Sequence, residues 1–235
     1  MARIGIIGAL ESEVNSLISL IDEAESRDIA DMTFYSGKIL GQDVVIVRCG
    51  IGKVNMAMCT QIMIAYYAVD QIINTGVAGA LHPDLHVGDV VISTDTLQHD
   101  YDLSGAGYSR KECPEIMGMI YEADPRLIGL AQAICGIVNP EVSCMTGRIL
   151  TGDQFISDGK TKAEIVDLFG GCCVEMEGAA MAQVAVKNHV PFVIIRAISD
   201  QADEHAMESF DDFEKKAAMV AVKLLLGIFY YNTHY

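Results

Sequence analysis

The chain has 235 residues, 51% hydrophobic and 20% charged, which excludes a disordered or fibrous protein. At this length roughly three quarters of the unfolded surface can be buried, so neither metal nor disulfide is needed to hold the fold. Sixteen Lys and Arg against 32 Asp and Glu leave a net charge of −16, a field that repels nucleic acid and anionic membranes and leaves a small neutral or cationic ligand as the candidate partner.

In chain order, Arg3–Gly8 is a short apolar run ending in glycine and reads as a buried strand. Glu11–Ile21 follows with Val14, Leu17, Ile18 and Ile21 at helical spacing. Phe34–Leu40 and Asp43–Cys49 read as a hairpin around Gly41-Gln42. Lys53–Val69 is apolar on most faces, which suits a helix packed between layers. Gln71–Thr75 and Asp89–Thr94 are further strands, Pro125–Val138 a helix, Val142–Leu150 extended and Lys160–Phe169 helical. Cys173–Met176 is a strand feeding the small-residue helix Gly178–Lys187, then Phe192–Ser199 a β-branched strand and Asp211–Tyr231 a long closing helix. Strands alternating with helices predict one α/β domain over residues 1–235, its sheet covered on both faces. Gln98–Gly118, rich in Gly, Ser and charge, lies inside that alternation and reads as a surface loop.

The cysteines at 49, 59, 113, 135, 144, 172 and 173 have no CxxC spacing and read as buried thiols in a reducing cytosol. The first apolar run is short, broken by Gly5 and Gly8 and followed by Glu11 and Glu13, unlike a secretory leader. No segment approaches the roughly 18 uninterrupted apolar residues of a membrane span. A soluble, cytoplasmic protein is expected.

Ligands of open α/β sheets bind beyond the carboxyl ends of the strands, so the strand exits are the place to look for chemistry. Glu11 and Glu13 follow the first strand, and Gly76-Val77-Ala78-Gly79 the strand ending at Thr75. Thr151-Gly152-Asp153-Gln154-Phe155, Glu175-Met176-Glu177 and Ser199-Asp200 follow later strands. Four of these five exits carry a carboxylate, whereas the strand bodies are almost free of charge. Each acid also has a plainer reading. Glu11 and Glu13 suit the first turn of a helix, where the dipole favours acids, and Asp200 suits a turn or cap. Glu175 and Glu177 alternate between apolar residues, so at least one points inward and needs a partner. The glycines are either turns or points where backbone amides meet a ligand.

Other motifs fail. Gly50-Ile51-Gly52-Lys53 lacks the first glycine of a phosphate-binding loop, with Val47 in its place, and has Val54 where Ser or Thr would hold magnesium. His99-Asp100-Tyr101-Asp102 has neither an HExxH pattern nor a nearby cysteine pair; it reads as a loop of solvated or interface-pairing polar residues. Neither a metal nor a cofactor is expected.

Seven ordered blocks carry a resemblance: Ile4–Val14, Cys49–Ala57, Asn74–Leu81, Val87–Ser93, Thr151–Ile156, Val174–Ala180 and Pro191–Asp203. Together they resemble the 5′-methylthioadenosine/S-adenosylhomocysteine nucleosidases of the nucleoside phosphorylase superfamily, over nearly the whole chain. The resemblance implies a three-layer α/β domain with a mixed, partly closed sheet, assembled as a homodimer. It also implies hydrolysis of the N-glycosidic bond of 5′-thioadenosine nucleosides, and of 5′-deoxyadenosine, in methionine salvage. By resemblance Glu13 activates the attacking water and Asp200 protonates N7 of the purine. Glu177 holds the ribose hydroxyls with Met176 packed on the sugar, Phe155 stacks on the base, and the backbone of Ile156 reads its edge. Ser199, Arg196, Ile51, Gly79 and Phe210 fall on supporting positions, with Leu10, Val77 and Ala78 on the pocket wall. Such residue types suit the reaction, because an acid at the base and carboxylates near a sugar of oxocarbenium character stabilise the charges that develop.

Three positions depart from relatives: Val77 stands at a common serine, Leu10 at a common methionine, and Ala106 where a large aromatic can reach across the dimer, while Pro114 of that loop is retained. They bear on the preference among 5′-substituents. The alternatives are a phosphate-dependent phosphorylase, a nucleosidase for 6-amino-6-deoxyfutalosine, and a non-catalytic nucleoside-binding or storage protein. Asn74, not arginine, precedes Thr75-Gly76, and Glu11 and Glu13 stand at the first exit; that pairing repels phosphate and suits water activation. In the expected homodimer, apolar Met56–Val69 contributes to the interface and the Gln98–Gly118 loop lies near the partner's site.

Overall fold

The computed structural model describes residues 2–235, the side chains of Asp211 and Asp212 excepted; Met1, the first residue of the expected domain, lies outside the described residues. Strand β1 (Ile4–Gly8) is buried throughout and leads into helix α1 (Glu11–Ile18). An antiparallel ribbon follows, β2 (Asp22–Ile29), β3 (Met32–Ile39) and β4 (Gln42–Arg48). Helix α2 (Lys53–Tyr67) precedes β5 (Gln71–Ala80) and β6 (Val90–Gln98). After a long loop come the short helix α3 (Cys113–Ile116), β7 (Tyr121–Glu122) and α4 (Pro125–Val138). The chain ends with β8 (Cys144–Thr151), α5 (Gly159–Phe169), β9 (Cys173–Glu175), α6 (Gly178–Lys187), β10 (Phe192–Asp200) and α7 (Ala206–His234).

All ten strands join one sheet in the order β10-β6-β8-β9-β5-β1-β4-β3-β2, with β7 on β6. Because β10 also pairs with β5, the first five strands of that order close into a ring, and the other four continue as an open wing. The pairing is mixed: β5–β10, β5–β1, β1–β4, β6–β8 and β8–β9 are parallel, β10–β6 and β5–β9 antiparallel. This is the mixed, partly closed α/β sheet expected.

Successive strand residues serve opposite layers. Ile4 and Ile6 of β1 pack with Val14 and Leu17 of α1 and with Leu224 and Leu225 of α7, while Ile7 packs with Met56 and Met63 of α2 and Met181 of α6. A strand buried on both faces needs apolar residues at every position, so it reads as an unbroken apolar run. Each such side chain contributes about 1.5–3 kcal/mol on full burial, whereas a sheet edge open to water has no such requirement.

Five expectations change. The first helix stops at Ile18, and Asp22–Ile29, which has no apolar alternation, is an edge strand exposed along almost its whole length. The hairpin turn falls on Leu40 and Gly41, both at positive φ, rather than Gly41-Gln42. Gly76–Gly79 is not a turn after β5 but part of it, in register with Arg196–Asp200 of β10. Helix α2 buries only one face: Met56, Cys59, Thr60 and Met63 point inward, while Val54 is 77% and Tyr66 63% exposed. The closing helix also starts earlier, at Ala206.

Candidate active site

Glu13 sits in the first turn of α1 and is buried. Its Oε2 accepts the backbone N–H groups of Ala9 (2.6 Å) and Leu10 (2.9 Å), and its Oε1 accepts that of Val77 in β5 (3.1 Å). Gly76 makes this reach possible, because a Cβ there would lie 2.8 Å from Oε1. Burial raises the proton affinity of Glu13 against the pull of Arg196 and the three amides. A carboxylate held in one orientation, yet more basic than in water, suits a proton acceptor.

Asp200 closes β10, where the pairing with β5 shifts register between Ile198 and Asp200. The Ser199 hydroxyl donates to its Oδ2 at 2.8 Å, and the Ala202 backbone N–H to its Oδ1 at 2.8 Å. Gly79 lies beneath it, with room for no side chain, since a Cβ would be 2.7 Å from Oδ1. Burial raises its pKa, opposed by the hydrogen bonds from Ala202 and Ser199. The group is therefore biased toward holding a proton.

Glu177 precedes α6 and accepts the backbone N–H of Gly52 at 2.8 Å. Burial, reinforced by the charge of Glu175, pushes its pKa up to about 8. Glu175 itself ends β9 and turns to Arg196, whose Nη2 donates to its Oε2. Its carboxylate also takes the Thr151 hydroxyl and the backbone N–H groups of Glu177 (3.1 Å) and Gly178 (2.8 Å). Nη2 of Arg196 donates as well to Asn74 Oδ1 at 2.6 Å. Burial disfavours the guanidinium, but Glu175, Glu13 and Glu177 outweigh it and hold Arg196 firmly charged.

These groups surround a cavity of about 120 Å³. Glu13, Glu177, Ser199 and Asp200 line it together with Leu10, Val77, Ala78, Gly79 and Met176. Ile51, Phe155, Ile156 and Phe210 complete the wall, the two phenylalanines meeting edge to face at 6.0 Å and 86°. Of the residues expected at the site, Arg196 alone lies behind the lining, where it neutralises Glu175. The cavity also takes in Gln154 and Glu175, named among the strand exits but given no role at the site, and Ala9 and Val174, which were not expected there. Gln154 and Glu175 stand at strand exits, so the rule that found their neighbours reaches them too; Ala9 and Val174 carry no polar signal.

Chemically, this is a mostly apolar slot with an acidic floor and one buried cation. It suits a planar apolar group between the aromatic and aliphatic walls, with carboxyl groups whose proton affinity burial raises above the ordinary carboxylate value. Among the described residues no group of three or more His, Cys, Asp or Glu is arranged to hold a metal ion, and no helix is long and apolar enough to cross a membrane.

Residues 3–229 match the model of the Phosphorylase superfamily. The chain is 41% identical over 227 residues to a 5′-methylthioadenosine/S-adenosylhomocysteine nucleosidase of Exiguobacterium sp., covering 96% of this chain and 97% of the relative. Among solved structures, the nucleosidase of the same description from Neisseria meningitidis, in complex with methylthio-immucillin-A, superposes with a TM-score of 0.92 at 37% identity, covering 98% of this chain and all of the other. The Colwellia psychrerythraea nucleosidase in complex with adenine gives a TM-score of 0.90 at 36% identity, covering 97% of this chain and 94% of that one.

Proposed function

Given that this chain belongs to the 5′-methylthioadenosine/S-adenosylhomocysteine nucleosidases of the phosphorylase superfamily, hydrolases of the N-glycosidic bond, we propose how its own residues carry out that hydrolysis. The base lies between Phe155 and the β5 wall, with the backbone of Ile156 at its edge. The sugar lies over Met176 with its hydroxyls on Glu177, and the 5′-substituent extends toward Leu10, Ile51 and Phe210. Glu13 takes a proton from water as its oxygen bonds to the anomeric carbon. The bond to the base breaks, its electron pair moves into the purine, and Asp200 delivers a proton to N7. Adenine and a 5-substituted ribose result. Ser199 holds Asp200, and Arg196 holds Glu175 and restrains the charge of the acidic floor.

The observation that carries this reading is the convergence of Glu13, Glu177 and Asp200 on one cavity, each with its proton affinity raised by burial. A base and an acid tuned toward neutrality are what proton transfer in both directions requires. The test is to incubate the purified protein with methylthioadenosine, adenosylhomocysteine and 5′-deoxyadenosine in phosphate-free buffer and to quantify adenine. Equal release with and without phosphate is expected; strict phosphate dependence overturns the role of water.

The same reading takes the protein as a cytoplasmic homodimer. Support for the dimer is the row of exposed apolar residues Val54, Met58 and Tyr66, spaced in multiples of four along one side of α2, with exposed Tyr101, Tyr108 and Met117 in the segment after β6. Sedimentation equilibrium tests it, and a monomer at micromolar concentration contradicts it.

A further inference from the structure

Just outside the cavity, the His99-Asp100 segment after β6 is built into a hydrogen-bonded cluster that no step of the reaction uses. Asp100 accepts from Lys53 Nζ through both oxygens, at 2.7 and 2.9 Å, and from the backbone N–H of Asp153 at 2.9 Å. Asp153 in turn accepts the backbone N–H of Lys53 at 2.9 Å, and Lys53 Nζ also donates to Gln98 at 3.1 Å. The buried His99 adds a backbone bond to Thr151 O at 2.9 Å. Its ring lies against Gly152, where a Cβ would fall 2.3 Å from Nε2.

The cluster joins two segments that face the ligand. Lys53 opens α2 and follows Gly52, whose N–H holds Glu177. Asp153 opens the stretch that carries Phe155 and Ile156 into the cavity. Asp100 touches neither the cavity nor its carboxylates, yet it bonds both segments. The Lys53 and Asp100 side chains are 19% and 18% exposed, so their pairing is better shielded than a surface salt bridge. Burial opposes the charge of Asp100, but Lys53 and the Asp153 amide prevail and hold its pKa below the ordinary value, so the tie persists at neutral pH.

We propose that Asp100 is a positioning residue for the hydrolysis, with His99 bracing it, which sets the Asp153–Ile156 wall and the Gly52–Glu177 contact in register with each other. The inference rests on the assignment of Phe155, Ile156 and Glu177 to base and ribose. Contacts to the base exist in the ground state and the transition state alike, so loosening them raises KM more than it lowers kcat.

Steady-state kinetics with methylthioadenosine, adenine affinity by calorimetry, and thermal denaturation are measured for wild type, Asp100→Ala, Asp100→Asn and Lys53→Met. Wild-type turnover, recorded first, tests the functional reading by itself. Asp100→Ala is expected to raise KM and the adenine Kd about tenfold with kcat changed by less than about threefold. Asp100→Asn, which keeps one acceptor oxygen, falls between, and Lys53→Met shifts the same constants in the same direction. Unchanged KM and Kd with a lowered Tm overturn the proposal by making Asp100 structural only; a fall confined to kcat overturns it by placing Asp100 in the chemistry. If Asp100→Ala does not fold, Asp100→Asn and Lys53→Met decide by the same criteria.

Discussion

Arg196 meets Glu175 in an ion pair whose side chains are each 2% exposed. The pair holds the back of the cavity, and it keeps a positive charge close to Glu13 and Glu177, lowering the proton affinity that burial raises in both. Breaking a buried pair from one side strands a charge and costs about 3–5 kcal/mol. Arg196→Met is therefore expected to lower stability by that order in urea denaturation at neutral pH. It is also expected to move the acid limb of the pH–rate profile upward, because Glu13 and Glu177 lose their counter-charge. A double variant, Arg196→Met with Glu175→Leu, should recover part of the stability, and a double-mutant cycle measures how much.

Glu13→Gln removes the proposed proton acceptor and leaves the cavity shape. Turnover is expected to fall about 10²–10⁴-fold, the usual worth of general acid–base assistance, with adenine affinity nearly unchanged by calorimetry. Full activity in this variant removes the assigned role of Glu13. The amide is also a poorer fit to its surroundings, because its NH₂ faces a backbone N–H where the carboxylate accepted one, so some loss of Tm is expected as well.

The unliganded protein should lose stability as pH rises. Glu177 holds its proton to about 8 in the fold against an ordinary 4.5, so between those values the folded state binds a proton that the unfolded chain releases. That stabilisation is complete below the unfolded value and disappears as pH climbs through the folded one. Glu13 and Asp200, also raised by burial, act in the same sense. Scanning calorimetry across this range is expected to show Tm decreasing, with a shallower slope in Glu177→Gln. An identical slope in that variant means that Glu177 does not carry the proton.

Gly79→Ala places a methyl group 2.7 Å from Asp200 Oδ1 and 3.0 Å from Ala202 Cβ. Overpacking of this kind costs about 1–3 kcal/mol, and displacement of Asp200 from its proposed place at N7 should reduce kcat by about 10²-fold. Gly129→Ala is the control, because nothing lies within 4 Å of its added Cβ; inside helix α4 it should raise stability by about 0.5–1 kcal/mol and leave the rate intact.

Much of the fold was legible because each buried strand had to be apolar on both faces. Helices α4 and α6 begin and end where proline, glycine and the apolar spacing place them. Edge strand β2 was not legible: its partners are backbone groups of β3, and its exposed side chains need no pattern. The glycines of β5 invited a turn because glycine is poor in strands, yet they are strand residues that make room for Glu13 and Asp200.

By itself the sequence determined that carboxylates gather at strand exits, since a charge within a strand buried on both faces needs a buried partner and most charges therefore collect where such strands end. Only the tertiary structure decided which acid meets which partner. Arg196 and Asp200 belong to one strand, yet Arg196 reaches Glu175 and Asn74 while Asp200, beyond the register shift after Ile198, lines the cavity. A side chain's proton affinity depends on how much water its neighbours displace and which charges they bring within a few ångströms, and for Glu13 the decisive counter-charge, Arg196, comes from the far end of the chain.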